Sequence, residues 1–273
     1  MRLSLSLAVN FTGRVVWITG ASSGIGEATA LAFAAAGARL VLSSRRPEEL
    51  ERVRRACDRP DDHIVVPLDL TRSETFPTLV AGVLTCCGGI DVLINNGGVS
   101  QRSYAAEARL EVERALMEVD YFGPVALTKA VLTSMRGRRS GHVVVISSVM
   151  GHLGTPGRST YAAAKHALHG YFDSLRAEVW RDGLHVTIVC PGYVRTAVSA
   201  NALGPRGEAI GPAGAQERGI SPERCARAIL RGVARRREEV YVGGWEVAGI
   251  YLKRFTPWLL SRIVRRMKFS VQT

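Results

Sequence analysis

No run of 18 apolar residues occurs in the 273-residue sequence, so no segment reads as a bilayer-spanning helix. Lysine is scarce: only Lys129, Lys165, Lys253 and Lys268 stand among 36 basic residues, so nearly all positive charge is arginine. Against 24 acidic residues the net charge is +12. Such a surplus suits polyanions, anionic lipid or phosphate-bearing ligands, and it equally suits a chain that simply favours Arg and Ala. No nucleic-acid motif accompanies it. Arg235, Arg236 and Arg237 follow a helical segment and precede Glu238 and Glu239, and no Trp interleaves with them as a stacking platform would. No nucleic-acid partner is expected. Cysteine is sparse and odd in number, at 57, 86, 87, 190 and 225. Vicinal Cys86 and Cys87 cannot form an unstrained bridge, and all five read as thiols of a reducing compartment. Linkers, repeats and low-complexity stretches are missing too. With 47% hydrophobic and 22% charged residues, disordered and collagen-like chains are excluded. The opening stretch MRLSLSLAVNFTGR is interrupted by Ser and lacks a clear A-x-A site, so it reads as a lead-in to the first strand. The expected location is cytoplasmic.

What is present is an alternation. Strand-like runs rich in Val, Ile and Leu fall at residues 14–19, 39–43, 63–67, 92–95, 142–146, 185–190 and 239–242. Their lack of polar alternation marks strands buried on both faces. Helical segments fall between them, at 26–36, 47–57, 75–86, 110–135, 160–181 and 222–235. Strand–helix alternation predicts an α/β fold: a doubly wound, seven-strand parallel sheet in a single Rossmann domain. Residues 1–244 form that domain, with a substrate loop at 193–221 rich in Gly, Ala and Pro, and 245–273 form a basic tail.

Between the first strand and first helix lies Thr19-Gly-Ala-Ser-Ser-Gly-Ile-Gly26. Small residues let the backbone turn tightly against a pyrophosphate, and the helix N-terminus offers free N–H groups. The spacing is G-x-x-x-G-x-G rather than G-x-G-x-x-G. Gly20, Ser22, Ser23, Gly24, Ile25 and Gly26 are the candidate phosphate cradle. The second strand ends without the acid that would bind a ribose 2′-hydroxyl. Ser44, Arg45 and Arg46 stand there instead. Guanidinium groups pair with phosphate, so NADP(H) is expected over NAD(H).

Tyr161 and Lys165 lie four residues apart, on one face of a helix. An ammonium beside a phenol favours the phenolate, which equips a tyrosine to exchange a proton with a carbonyl oxygen. Ser148 precedes Tyr161 by thirteen residues, at the end of the fifth strand, where its hydroxyl can hold that oxygen.

Together these motifs resemble the short-chain dehydrogenase/reductase family, over residues 12 to 243. The glycine loop is similar to that family's cofactor loop. Asp69-Leu70 resembles its adenine contact, and Asn95-Asn96-Gly97-Gly98 its N-N-A-G element with Gly97 in place of Ala. Ser148, Tyr161 and Lys165 match its catalytic Ser, Tyr and Lys. Pro191, Gly192, Val194 and Thr196 fall in the P-G-x-x-x-T segment that closes over the nicotinamide. Within the family, NNGGVSQRS, DYFGPVALTKAV and YAAAKHALHGYFDSLRAEV resemble the member 7 and 7B branch. The resemblance implies NADP(H)-dependent interconversion of a carbonyl and an alcohol on an apolar small molecule, such as a steroid, a retinoid or an acylated ketone phosphate. A homo-oligomer, dimer or tetramer, is expected. A second departure matters more: the family's catalytic Asn, thought to hold a relay water for the lysine, is Asp120 here. An anion there competes with Tyr161 for the field of Lys165. A non-catalytic NADP(H)-binding redox sensor or scaffold is the alternative that this departure favours.

His142, His152, His166 and His169 surround the catalytic segment without a carboxylate-supported ligand set, so no metal is expected. Cys190 reads as a small buried hydrophobe. From Pro257 to Lys268 the chain places Trp258, Leu259, Leu260, Ile263, Val264 and Met267 broadly on one helical side, and Arg262, Arg265, Arg266 and Lys268 on much of the other. Such a helix lies in a membrane interface, caps the substrate cleft or packs on a neighbouring subunit. A membrane-peripheral acyl-ketone lipid reductase is the further alternative.

Overall fold

The computed structural model describes residues 9–196, 201–211 and 219–266. The lead-in residues 1–8, parts of the 193–221 loop, and Met267 and Lys268 of the tail lie outside them. Seven strands form one sheet: β1 (Val15–Thr19), β2 (Arg39–Ser43), β3 (Ile64–Val65), β4 (Val92–Asn95), β5 (Gly141–Ile146), β6 (Leu184–Pro191) and β7 (Glu239–Val242). Their order is β3-β2-β1-β4-β5-β6-β7, and every neighbouring pair is parallel. β1 is flanked by β2 and β4, with Val16 level with both Leu40 and Val92. The strand order therefore reverses between β1 and β4. In open α/β sheets the crevice at that switch point binds ligands.

Alternation along the strands splits the core in two. Val16 and Ile18 face one side and pack with Phe33 of α1 (Gly24–Ala35), Leu50 and Val53 of α2 (Pro47–Ala56), and Ile229 of α7 (Pro222–Ala234). Val15 and Trp17 face the other. There they join Val80 of α3 (Phe76–Cys87), Val131 of α5 (Gly123–Gly137), and Leu168 and Phe172 of α6 (Ser159–Val179). Trp17 is fully buried, and its indole N–H donates to Ser43 Oγ at 2.8 Å. Such burial is worth about 1.5–3 kcal/mol for each large side chain.

Two expectations change. The single helix expected over 110–135 is α4 (Leu110–Met117), a π-helical segment at Glu118–Phe122, then α5. Gly123 N–H donates to the Glu118 carbonyl, five residues back. Pro124 has no N–H to give to the Asp120 carbonyl, so the regular ladder fails at this point. The described part of the tail holds a 3-10 turn and two short helices, α8 (Ala248–Phe255) and α9 (Pro257–Arg266). Ile250, Leu260 and Val264 pack on Val149 and Leu153, just beyond Ser148. Among the described residues, no helix is long and apolar enough to cross a membrane.

Candidate active site

The glycine loop crosses the C-terminal end of β1. Gly20 takes φ +64, which L side chains rarely adopt, and a Cβ on it would sit 2.8 Å from Gly97 Cα. A Cβ on Gly26 would sit 2.1 Å from the Gly20 carbonyl oxygen. The loop is thus folded tightly on itself and on the end of β4. Ser23 precedes α1 without a side-chain cap, which leaves backbone N–H groups at the helix start for an anion. Ile25 packs against the first core. Asn96 donates to the carbonyls of Thr19 at 3.0 Å and Gly20 at 3.2 Å, so it ties β4 to the loop. Thr19 Oγ1 accepts the N–H groups of Asn96 and Gly97, both at 3.0 Å. The sequence reading missed this role of Thr19.

At the end of β2, Arg45 and Arg46 are exposed. Arg46 Nη2 donates to Ser22 Oγ at 2.9 Å and Ser23 Oγ at 3.2 Å, which seats a cation on the loop. Its N–H donates to Ser44 Oγ at 3.1 Å. Arg45 faces the side of Asp69. Burial alone would raise the Asp69 carboxyl, yet the Thr71 N–H and hydroxyl, with the charges of Arg45 and Arg72, hold it below its ordinary value. Leu70 beside it is buried.

Ser148 begins a 3-10 turn, Val149–Gly151, at the end of β5. Its Oγ accepts from the Met150 N–H at 3.1 Å and donates to the Pro191 carbonyl at 3.4 Å. Tyr161 lies half-buried in the first turn of α6, and Lys165 is buried one turn later. Lys165 Nζ stands 5.5 Å from the centre of the Tyr161 ring and donates to the Ile146 carbonyl at 3.3 Å, two residues before Ser148. Asp120, on the π segment, is fully buried. Its Oδ1 accepts the Val99 N–H at 2.7 Å, and its Oδ2 lies 3.2 Å from Lys165 Nζ, an ion pair without the alignment of a hydrogen bond. Burial pushes the Asp120 carboxyl above its ordinary value, against the opposing charge of Lys165. For Lys165 burial is the largest influence and acts downward, but Asp120 and Tyr161 together outweigh it and hold the ammonium above its ordinary value.

β6 continues through Pro191, and the Gly192 N–H donates to the Val242 carbonyl at 2.8 Å. Val194 is buried and bridges to Ile220. Thr196 reaches over the glycine loop, its methyl only 3.0 Å from where a Gly24 Cβ would stand. Two further residues position this site, and motif reading did not find them. Gln101 is buried, and its Oε1 accepts the N–H groups of Thr160 at 2.9 Å and Tyr161 at 3.2 Å, so it caps α6 at the turn that bears Tyr161. Glu246 Oε1 accepts the N–H groups of Tyr193 and Gly244, both at 2.9 Å, joining the turns after β6 and β7. Neither belongs to a spacing pattern; only the fold brings them into place. No local spacing marks a ligand set, yet the fold gathers His152, His169 and Cys190. Cys190 is fully buried, as expected of a small hydrophobe.

A family model for short chain dehydrogenases matches residues 14–205. The chain is 42% identical over 272 residues to a dehydrogenase/reductase SDR family protein 7-like of Anopheles gambiae, covering 95% of this chain and 86% of that one. It is 42% identical over 264 residues to dehydrogenase/reductase SDR family member 7B of Danio rerio, covering 93% and 85%. A short-chain dehydrogenase from Streptomyces avermitilis superposes with a TM-score of 0.79 at 33% identity, over 94% of this chain and 99% of that one. A metagenomic short-chain oxidoreductase in complex with NADP superposes with a TM-score of 0.70 at 28% identity, over 85% and 97%.

Proposed function

Because the chain belongs to the short-chain dehydrogenase family, and is thereby an oxidoreductase that takes a nicotinamide cofactor, we propose that it uses NADP(H) to interconvert a carbonyl and an alcohol on an apolar small molecule. The residues present fit a dinucleotide. The glycine loop has no room for side chains at Gly20 and Gly26, and the uncapped start of α1 offers donors to a pyrophosphate. Arg45 and Arg46 favour the 2′-phosphate form, Arg46 already lying on Ser22 and Ser23. The metagenomic relative solved with NADP is consistent with that choice. When bound, the nicotinamide supplies or accepts the hydride.

The observation that carries the reading is Lys165, whose ammonium reaches both the Tyr161 ring and the strand end that bears Ser148. In reduction, the Ser148 hydroxyl holds the substrate oxygen and the Tyr161 hydroxyl donates its proton to it. Lys165 stabilises the phenolate left behind. Asp120 fixes the position of Lys165 and keeps it charged. In oxidation the same groups run in reverse.

NADPH oxidation, followed by absorbance across steroids, retinals, fatty ketones and acyl-ketone phosphates, tests the reading. Tyr161→Phe should abolish turnover and leave NADPH affinity nearly unchanged, since the proton donor goes and the ring stays. A wild type that binds NADPH and reduces nothing in that panel would favour the non-catalytic sensor or scaffold. Arg45→Ala and Arg46→Ala should each lose roughly 1.5–3 kcal/mol of NADPH affinity, the range for bonds to charged groups, with NADH binding barely changed. Equal wild-type affinity for the two cofactors would sink the NADP assignment.

Arg158 supports a second reading, an acyl-ketone lipid with an anionic head. It stands three residues before Tyr161, hydrogen-bonds Ser100 Oγ, and makes no ion pair among the described residues. Preference in the panel for acyl-ketone phosphates over neutral ketones, lost in Arg158→Ala, distinguishes it.

A further inference from the structure

Behind the catalytic serine, three nitrogen and sulfur ligands converge that hydride transfer does not use. His152 follows the 3-10 turn after β5, His169 lies on α6, and Cys190 lies at the end of β6. Cys190 Sγ is 3.6 Å from His152 Nε2 and 3.7 Å from His169 Nε2, and the three ligand atoms all lie within 4.8 Å of one another. In a tetrahedral zinc site the metal–sulfur and metal–nitrogen bonds are about 2.3 and 2.05 Å, which puts sulfur and nitrogen about 3.6 Å apart. The observed separations are thus those of two edges of a coordination tetrahedron.

The surroundings repeat the pattern of a built metal site. His169 Nδ1 lies 3.6 Å from Glu239 Oε1, and the other Glu239 oxygen accepts from the Tyr241 hydroxyl. A carboxylate behind a ligating imidazole fixes its ring and tautomer. Ser147 Oγ is 3.1 Å from His169 Nε2. Gly151 leaves the space free: a Cβ there would lie 2.6 Å from both His169 Nε2 and Ser147 Oγ. Cys190 is fully buried, between the two histidines.

We propose that His152, His169 and Cys190 bind one soft divalent cation, zinc in the first place, with Ser147 Oγ or a water as fourth ligand. Two imidazoles and a thiolate select zinc over magnesium or calcium. Binding exchanges the thiol proton for a metal–sulfur bond and releases one proton, with no change of oxidation state. The site would join three parts of the active centre. Ser147 adjoins Ser148, α6 carries Tyr161 and Lys165, and Cys190 adjoins Pro191, whose carbonyl accepts from Ser148. The cation is therefore a brace for the catalytic residues, not a participant in their reaction.

The test uses the full chain, freed of metal by chelation and then titrated with zinc chloride or cobalt chloride. One zinc per chain should remain after desalting, with a raised melting temperature. Cobalt should give tetrahedral d–d bands and a thiolate-to-cobalt charge-transfer band. Cys190→Ala should lose the charge-transfer band. His152→Gln, which alters a partly exposed side chain, should weaken zinc binding at least tenfold, and Glu239→Gln should weaken it by about 10–100-fold as an outer partner. Retained NADPH binding and circular dichroism show that each variant folds. Substoichiometric zinc in the wild type, or a cobalt spectrum unchanged in Cys190→Ala and His152→Gln, would overturn the site.

Discussion

Asp120 stands where the family resemblance implies an Asn, and its burial gives that difference energetic weight. A buried ion pair that loses one partner costs about 3–5 kcal/mol, because the other charge stays desolvated. Asp120→Ala should therefore lower both melting temperature and turnover. Asp120→Asn keeps an oxygen for the Val99 N–H and should keep or raise activity at neutral pH. The pH profile separates charge from shape. The Lys165 ammonium is held above its ordinary value by the Asp120 charge, so its charged form is fully favoured below that ordinary value and is lost as pH rises through the raised one. With Asn at 120 the opposing charge is gone, and burial, the largest influence on Lys165, pushes the ammonium down against the Tyr161 contribution alone. The alkaline limb of kcat/KM should move to lower pH in Asp120→Asn. An unmoved limb would mean that Lys165 does not carry it, and a large loss in Asp120→Asn at neutral pH would give the carboxylate a role of its own.

At the scale of elements, the site depends on how helices begin and where one is interrupted. The π segment turns Asp120 toward Lys165, and Pro124 is the local cause. α6 begins with no cap from its own Arg158, so Gln101, about sixty residues earlier, supplies it. Gln101→Ala should remove a helix cap worth about 0.5–2 kcal/mol, visible as a lower melting temperature. It should also lower kcat more than it weakens NADPH binding, since the freed turn bears Tyr161 while the glycine loop is untouched. An equal loss in both would mean that Gln101 acts on the fold at large. Several boundaries were legible beforehand: β2, β4 and β7 fall where the apolar runs placed them. β3 is shorter than expected, two residues paired with β2 at the sheet edge.

Over the whole molecule, the tail both packs and presents. Leu260 and Ile250 are buried against Val149 and Leu153, so α8 and α9 cover the turn that follows Ser148. Their other faces expose Tyr251, Phe255, Trp258 and Ile263, with Lys253, Arg254, Arg262, Arg265 and Arg266 around them. Trp258 and Phe255 are 60% and 76% exposed, more than packing on this fold explains. A peripheral contact with anionic membrane is the proposal these residues support, at about 1 kcal/mol for each basic residue near the surface. Full-length protein should sediment with anionic vesicles at low salt, less at high salt and not with neutral vesicles. Phe255→Glu with Trp258→Glu should abolish sedimentation at an unchanged melting temperature. Deleting 257–273 should abolish it and lower the melting temperature, because Leu260 is lost from its pocket. No sedimentation at low salt would end the membrane reading.

The sequence by itself determined the sheet, the glycine loop and the serine, tyrosine and lysine. Buried parallel strands need continuous apolar runs, the cradle needs small residues at a strand–helix junction, and Tyr161 and Lys165 share a face through helical period alone. Each of those signals is local. What joins distant residues carried no spacing to read. The cap from Gln101, the ligature through Glu246, the approach of Arg46 to the loop serines, and the gathering of His152, His169 and Cys190 span up to 60 residues between hydrogen-bonded partners. The opposition of Asp120 and Lys165 was expressible as an anion near a cation, but its burial was not. Burial is what turns a weak surface pair into a constraint on the site, and burial exists only once the sheet and its helices have packed.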